Sequence, residues 1–285
     1  MGNRLEGKVA VVTGGGRGIG RGVALLLAEE GAAVVVNDLG CEVDGTGASP
    51  GPADRVVEEI RSLGGRAVAS YGDVASMADG EGLIQQAVDS FGRVDVLVNS
   101  AGIRRDRTMP EMSAEDFYRL IDSNVKGTFV PTRFASILFR QQRGGRIVSM
   151  TSDAGLGEIG MANYAAASEA IVGMTRNVAR DMGRYGVTCN AISPVASTRL
   201  FPGSTDEPGE WDGPGLADDP ENVAPLAVYL CTDAAPDVNG RVFGVRQGSI
   251  YLYSNPEIER SLHKWGNFTM DEMDALVPDS IGSGL

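Results

Sequence analysis

Lys8-Val9-Ala10-Val11-Val12-Thr13-Gly14-Gly15-Gly16-Arg17-Gly18-Ile19-Gly20 is the stretch on which the fold turns. A Val-rich run with no polar alternation reads as a strand buried on both faces. The glycines end it, and Val23, Leu26 and Leu27 then recur at helical spacing. Strand, glycine turn and helix in that order suit a dinucleotide. Glycines let a pyrophosphate approach the backbone, and its charge rests on unpaired N–H groups at the helix start. A glycine turn alone also serves as a plain tight turn, so its meaning depends on its surroundings. Gly14, Arg17, Gly18, Ile19 and Gly20 are the first candidate cofactor contacts.

A second buried run, Ala33-Val34-Val35-Val36, ends at Asn37-Asp38. A carboxylate about 20 residues past the glycines can accept both ribose hydroxyls of an adenosine and repel a 2′-phosphate. Asp38 therefore favours NAD over NADP, although Arg17 offers a cation for a phosphate. Residues 40–54, rich in Gly, Pro and Asp, read as an inserted loop before a helix over about 54–63. A third strand at Val68-Ala69-Ser70 leads to Gly72-Asp73-Val74. After a helix over 82–91, a fourth strand at 94–98 runs into Asn99-Ser100-Ala101-Gly102. A helix carrying Asn124 precedes a fifth strand, 146–150, and Thr151-Ser152. A helix carrying Tyr164 precedes a sixth, 187–192, and Ser193-Pro194-Val195. A helix over about 220–231 and a strand around Val242-Phe243-Gly244-Val245 follow.

This alternation predicts an α/β fold: a single Rossmann-type doubly wound domain over residues 1–285. Its seven-stranded parallel sheet is flanked by helices and holds ligands at the strand C-termini. Residues from about 201 to 220, dense in Gly, Pro and acids, read as a substrate flap, a composition shared by inert surface loops. Residues 249–285 read as a C-terminal extension packed on the pocket or on another subunit.

The formal charge of -13 argues against nucleic acid or an anionic membrane as partner, because both require a basic face. No apolar run approaches the roughly 18 residues that span a bilayer, and the first residues carry no apolar signal core. Cys41, Cys189 and Cys231 are odd in number and lack CxxC spacing, so no disulfide framework or metal site is expected and a reducing cytoplasm fits. His263 is the only histidine and lies in the C-terminal tail, which argues against a Ser/His/Asp hydrolase.

Thr13-Gly14 through Gly20, Asp73-Val74, Asn99-x-Ala101-Gly102, Asn124, Ser152 and Tyr164, in that order and spacing, resemble the short-chain dehydrogenase/reductase family over nearly the whole chain. A closer likeness is to the 3-hydroxyacyl-CoA dehydrogenase unit of peroxisomal multifunctional enzymes. It is carried by Asn37-Asp38-Leu39-Gly40, Ala101-Gly102-Ile103-Arg104 with Arg105-Asp106-Arg107, Pro194-x-Ala196-x-Thr198-Arg199 and Val223-Ala224-Pro225-Leu226. The resemblance implies an NAD(H)-dependent oxidoreductase that interconverts a secondary alcohol and a ketone, possessing a small-molecule substrate of hydroxyacyl type. Tyr164 would exchange a proton with the substrate oxygen, Ser152 would hold that oxygen, and Asn124 would anchor a water relay. Asn99, Ala101 and Gly102 would line the adenosine side, Asp73 and Val74 the adenine, with Pro194, Thr198 and Tyr164 as further cofactor contacts. The interval from Ser152 to Tyr164 is one residue short for the family, which leaves Thr151 open as the hydroxyl. The resemblance also implies a homodimer or homotetramer paired through the helices around 124–142 and 164–185.

Tyr164 and Ser168 lie one helical turn apart, on one face. The family has Lys at the second position, where an ammonium lowers the phenol's pKa from near 10. Ser supplies no charge and can instead bond the carbonyl of Tyr164. Three readings follow: a slow oxidoreductase shifted to alkaline pH, a non-redox enzyme that uses Tyr164 as an acid, or a nucleotide-binding protein without catalysis. Arg104, Arg105 and Arg107 suit either an anionic substrate group or a solvated loop. Glu158 and Met161 are expected to line the substrate cleft.

Overall fold

The computed structural model describes residues 2–201, 219–246 and 248–282. The chain divides into two compact units, Met1–Tyr253 and Ser254–Leu285.

The first unit is built on one sheet in the order β3-β2-β1-β4-β5-β6-β7-β8. Its strands are β1 (Val9–Thr13), β2 (Ala33–Asn37), β3 (Arg66–Ser70), β4 (Val96–Asn99), β5 (Gly145–Met150), β6 (Val187–Val195), β7 (Val242–Arg246) and β8 (Ser249–Leu252). The first seven are parallel, as expected. The eighth corrects the expected count of seven. β8 folds back antiparallel on β7, with Arg246 opposite Ser249 and Gly248 at φ +80, so residues 249–252 belong to the sheet. A two-residue connection with Gly favours such a hairpin.

Val-rich strands are buried on both faces because helices cover both. On one side Ala10, Val12, Val34 and Val36 pack against Val23 and Leu27 of α1 (Gly18–Glu29), Ile60 of α2 (Gly51–Ser62) and Leu230 of α7 (Ala224–Cys231). On the other, Val9, Val11 and Val35 meet Leu83 of α3 (Met77–Phe91), Phe139 of α5 (Gly127–Gln142) and Ala179 of α6 (Ala162–Gly183). Phe139 is fully buried, so its replacement by Ala would cost about 3–5 kcal/mol. Between α4 (Ala114–Leu120) and α5 the helix widens into a π-turn, Ile121–Lys126.

The chain steps outward from β1 to β3 and then returns to β4 on the other side of β1. Ligands of such sheets bind at this switch point, outside the strand C-termini. The expected flap lies outside the described residues except at its two ends.

The second unit contains α8 (Met270–Leu276), which starts at a capping box. Thr269 Oγ1 accepts from the Glu272 N–H, and Glu272 Oε2 accepts from the Thr269 N–H. No helix among the described residues is long and apolar enough to cross a membrane.

Candidate active site

Two adjoining cavities open at the switch point. The first, of about 310 Å³, is lined by Gly14, Arg17, Gly18, Ile19, Gly20, Asp38, Asp73, Val74, Ala101, Gly102 and Thr198. Eleven of the expected cofactor contacts therefore come together on one wall system. Gly14 has φ +62, and a Cβ there would stand 2.7 Å from the Ala101 backbone. A Cβ on Gly20 would stand 2.2 Å from the Gly14 carbonyl oxygen, so only glycine lets α1 begin this close to the turn. Arg17 gives α1 no side-chain cap and its first turn holds no acid, which leaves the helix N-terminus available to an anion. Thr13, fully buried, ties the turn to β4 by accepting from the Ser100 and Ala101 N–H groups at 3.1 and 3.3 Å.

Asp38 ends the β2 region with both oxygens engaged: Oδ2 accepts from the Gly16 N–H at 3.0 Å and Oδ1 from the Gly40 N–H at 2.8 Å. Each oxygen retains a second lone pair for a ribose hydroxyl. Arg17 reaches across to donate to the Cys41 carbonyl, 3.0 Å away. Asp73 accepts from the Ala75 N–H. The glycine cradle, the uncapped helix start and the carboxylate fit an adenine dinucleotide. Among the described residues no cluster of His, Cys, Asp and Glu suits a metal.

Asn99 lines neither cavity. It is buried, and its Nδ2 donates to Thr132 Oγ1 and Ser149 Oγ, so it fastens β4 to its neighbours beneath the site.

The second cavity, of about 620 Å³, shares Ile19, Ser100, Ala101, Gly102, Thr198 and Leu200 with the first. Asn124, Thr151, Ser152, Glu158, Met161, Tyr164, Ser168 and Pro194 line it. The two cavities thus put the candidate catalytic side chains beside the cofactor cradle. Asn124 sits in the π-turn and clamps the loop after β4: its Oδ1 accepts from the Ile103 N–H at 2.9 Å and its Nδ2 donates to the Ile103 carbonyl. Such turns recur at functional sites.

The two hydroxyls after β5 differ in what they bond. Thr151 Oγ1 donates to the Ser168 carbonyl at 2.8 Å and is buried. Ser152 Oγ caps the turn Asp153–Leu156 by accepting from the Ala154 N–H at 3.1 Å. Ser168, 3% exposed, donates to the Tyr164 carbonyl at 2.8 Å, as expected for Ser at that position.

Tyr164 is half-buried, and Phe201 stands edge-on to its ring with centroids 5.6 Å apart. Desolvation pushes the phenol's pKa up to about 12; Arg104 pulls it down, while Asp106 and Asp153 push it up. Phe201, Leu200 and Arg246 are wall residues that sequence reasoning did not assign to the site, and Arg104, left open there between an anionic substrate group and a solvated loop, lines the same wall. The arginine cluster divides. Arg105 is half-buried in an ion pair with Asp116 and donates to the Asp44 carbonyl, whereas Arg104 faces the cavity. Arg107 is exposed, its side chain donating to the Asp106 carbonyl.

The family model described as short chain dehydrogenase matches residues 8–201. A peroxisomal multifunctional enzyme type 2 of Drosophila melanogaster is 43% identical over 237 residues, covering 82% of this chain and 38% of that protein. The chain thus spans well under half of that relative. A hydroxyacyl-CoA dehydrogenase of Mycobacterium tuberculosis is 40% identical over 274 residues, covering 90% and 82% of the two chains. Among solved structures, a short chain dehydrogenase from Mycobacterium avium superposes with a TM-score of 0.85 at 42% identity, over 98% of this chain and 95% of that one. One from Burkholderia cenocepacia, in complex with NADP, gives 0.73 at 30% identity, over 86% and 99%.

Proposed function

This chain belongs to the short-chain dehydrogenase family, a family of oxidoreductases with a nicotinamide-cofactor fold, and from that premise we propose that it is an NAD(H)-dependent enzyme interconverting a ketone and a secondary alcohol, with reduction the faster direction. The observation that carries this reading is the adjacency of the two cavities: a glycine and Asp38 cradle opens directly onto a wall bearing Ser152 and Tyr164. Residues Gly14 to Gly20, Asp73, Val74, Ala101, Gly102 and Thr198 would hold the dinucleotide. Asp38 supports NAD over NADP by repelling a 2′-phosphate. The bound nicotinamide supplies or accepts the hydride.

The chain's own residues handle the proton. Ser152, whose hydroxyl hydrogen has only a 3.5 Å contact to Asp153 while its oxygen caps the following turn, orients the substrate oxygen, and Thr151 is committed to the Ser168 carbonyl. Tyr164 donates the proton to that oxygen in reduction. A phenol at about 12 is protonated throughout the neutral range, so it is ready as an acid and scarce as a base. Oxidation is therefore slow, and Ser168 is the reason no ammonium corrects it. A hydroxyacyl or ketoacyl substrate is supported by the relatives' names and by the size of the second cavity. Pairing of α5 and α6 between copies, in a homodimer or homotetramer, belongs to the same reading and is supported by exposed Phe129 and Ile137. The free cysteines support a reducing compartment such as the cytoplasm.

The test pairs NAD and NADP binding titrations with reduced-cofactor absorbance against a panel of ketones and alcohols. The expected result is tighter NAD than NADP binding, a ketone reduction rate flat from about pH 7 to about pH 10, and an alcohol oxidation rate that climbs about tenfold per pH unit over that range. Product formation without any cofactor absorbance change would mean non-redox chemistry. Tight NAD binding with no product from any substrate would mean a nucleotide-binding homologue.

A further inference from the structure

Arg104 has an unusual setting for an arginine in a loop. Its guanidinium carbon lies over the Phe201 ring, 4.2 Å from the centroid, and that ring meets Tyr164 edge-on at 5.6 Å. Arg104 and Tyr164 line one cavity, and the Arg104 side chain is only 25% exposed. The head is fixed from two sides: Nε and Nη2 donate to Asp106 Oδ2 at 2.6 and 2.5 Å, and Nη1 donates to the Leu200 carbonyl at 2.7 Å. A guanidinium keeps its charge at every working pH, and its planar fork can hold these partners while its face stays on an aromatic ring. The bland reading, a solvated loop charge, does not account for a head clamped at three points against the catalytic aromatic's own neighbour.

We propose that Arg104 is a positioning residue for Tyr164, holding beside the phenol a positive charge that enters from the loop after β4 in place of the one that Ser168 does not supply from α6. The proposal rests on the oxidoreductase reading above and deepens it. The other charged groups facing the phenol are Asp106 on the same loop and Asp153 in the turn after β5, both of which oppose phenolate. Glu158, before α6, and Arg246, at the end of β7, line the same cavity. Against them Arg104 is the cation that favours ionisation, and burial outweighs it. Its effect is to limit how far the phenol is raised, and Asp106 sets how much of its charge is left for Tyr164.

The sign of two substitutions tests this. Arg104→Gln removes the charge and should lower kcat in both directions together, by up to about tenfold at any pH between about 7 and about 10, with substrate KM changed less than kcat, corresponding to a phenol raised by about one pH unit. Asp106→Asn should move oxidation the opposite way, and Arg104→Lys should retain most of the native profile. A structural clamp would make loss of either partner act in the same direction, and an anchor for an anionic substrate would show in KM with the pH profile unmoved; either result overturns the proposal. A readout independent of turnover uses the Ser168→Lys background, where the phenol titrates lower. Tyrosinate absorbance, with the Tyr164→Phe protein subtracted, should titrate higher by about one pH unit after Arg104→Gln and lower after Asp106→Asn. Opposite shifts there with no product from any substrate would sink the oxidoreductase reading and leave the Arg104 assignment standing. No shift in either variant would sink the assignment alone.

Discussion

The Ser168 hydroxyl donates to the Tyr164 carbonyl oxygen, one turn back on α6, at 2.8 Å. The side chain one turn from the phenol is thus turned to the helix backbone, and Thr151 in turn donates to the carbonyl of Ser168. Position 168 serves packing between β5 and α6 while still lying on the cavity wall.

Ser168→Lys should therefore be a gain-of-rate substitution. An ammonium about 4 Å from the phenol at an effective dielectric near 20 favours phenolate by roughly 4 kcal/mol, or about 3 pKa units. After the cost of placing Lys at a nearly buried position, alcohol oxidation near pH 8 should rise about ten- to a thousandfold and its pH profile should move toward acid. Steady-state kinetics over pH read this directly. A rate unchanged at every pH would refute a proton-transfer role for Tyr164. Thermal stability should fall, because desolvating an ammonium is costly.

Asp38→Ala should weaken NAD binding by at least about tenfold and narrow the preference over NADP. The loss has two origins: the ribose acceptor disappears, and the Gly16 and Gly40 N–H groups lose their shared partner, at about 1 kcal/mol or more each. Calorimetric titration with both dinucleotides separates them, since loosening of the turn weakens both cofactors equally whereas loss of the carboxylate's repulsion helps NADP alone. An unaltered NAD/NADP ratio would remove Asp38 from the selectivity argument.

Cys189 and Cys231 should resist thiol reagents in the native protein, leaving half-buried Cys41 as the reactive thiol. Burial pushes both buried thiols from about 9 up to about 12. Unfolded thiols ionise near pH 9 while the folded ones keep their protons, so the unfolded state binds fewer protons and stability falls as pH rises from about 9 to about 12. Below about 9 the contribution is fully present. Tyr164, raised from 10 to about 12, adds in the same direction above about pH 10. Melting temperatures at pH 7.5 and in steps above pH 9 should decline; a flat curve to pH 10.5 would contradict the burial of these groups.

Much of this molecule was readable before folding. Unbroken Val runs implied strands covered on both faces, and the glycines from Gly14 to Gly20 implied a turn whose backbone a pyrophosphate could approach. Both features depend on neighbours a few residues away, so they are written in the order of the chain. The spacing of Tyr164 and Ser168 on one helix face is of the same kind, and it exposed the missing ammonium at once. The eighth strand was missed because exposed Ser249–Leu252 bury no face and pair only through their backbone with β7.

Pairings across long stretches of chain needed the fold itself. Asn99, beside the glycine turn in the motif order, proved to brace the sheet from below. Arg104 could be read only as one of three arginines in a loop until folding laid it on Phe201 and bonded it to Leu200, 96 residues away. Local chemistry pointed to a dinucleotide cradle and to a phenol with Ser one turn away, because those are readings of backbone conformation and helical spacing. Which remaining charges surround that phenol was decided only when distant loops met at one cavity, since electrostatic influence follows distance and burial in space rather than order along the chain.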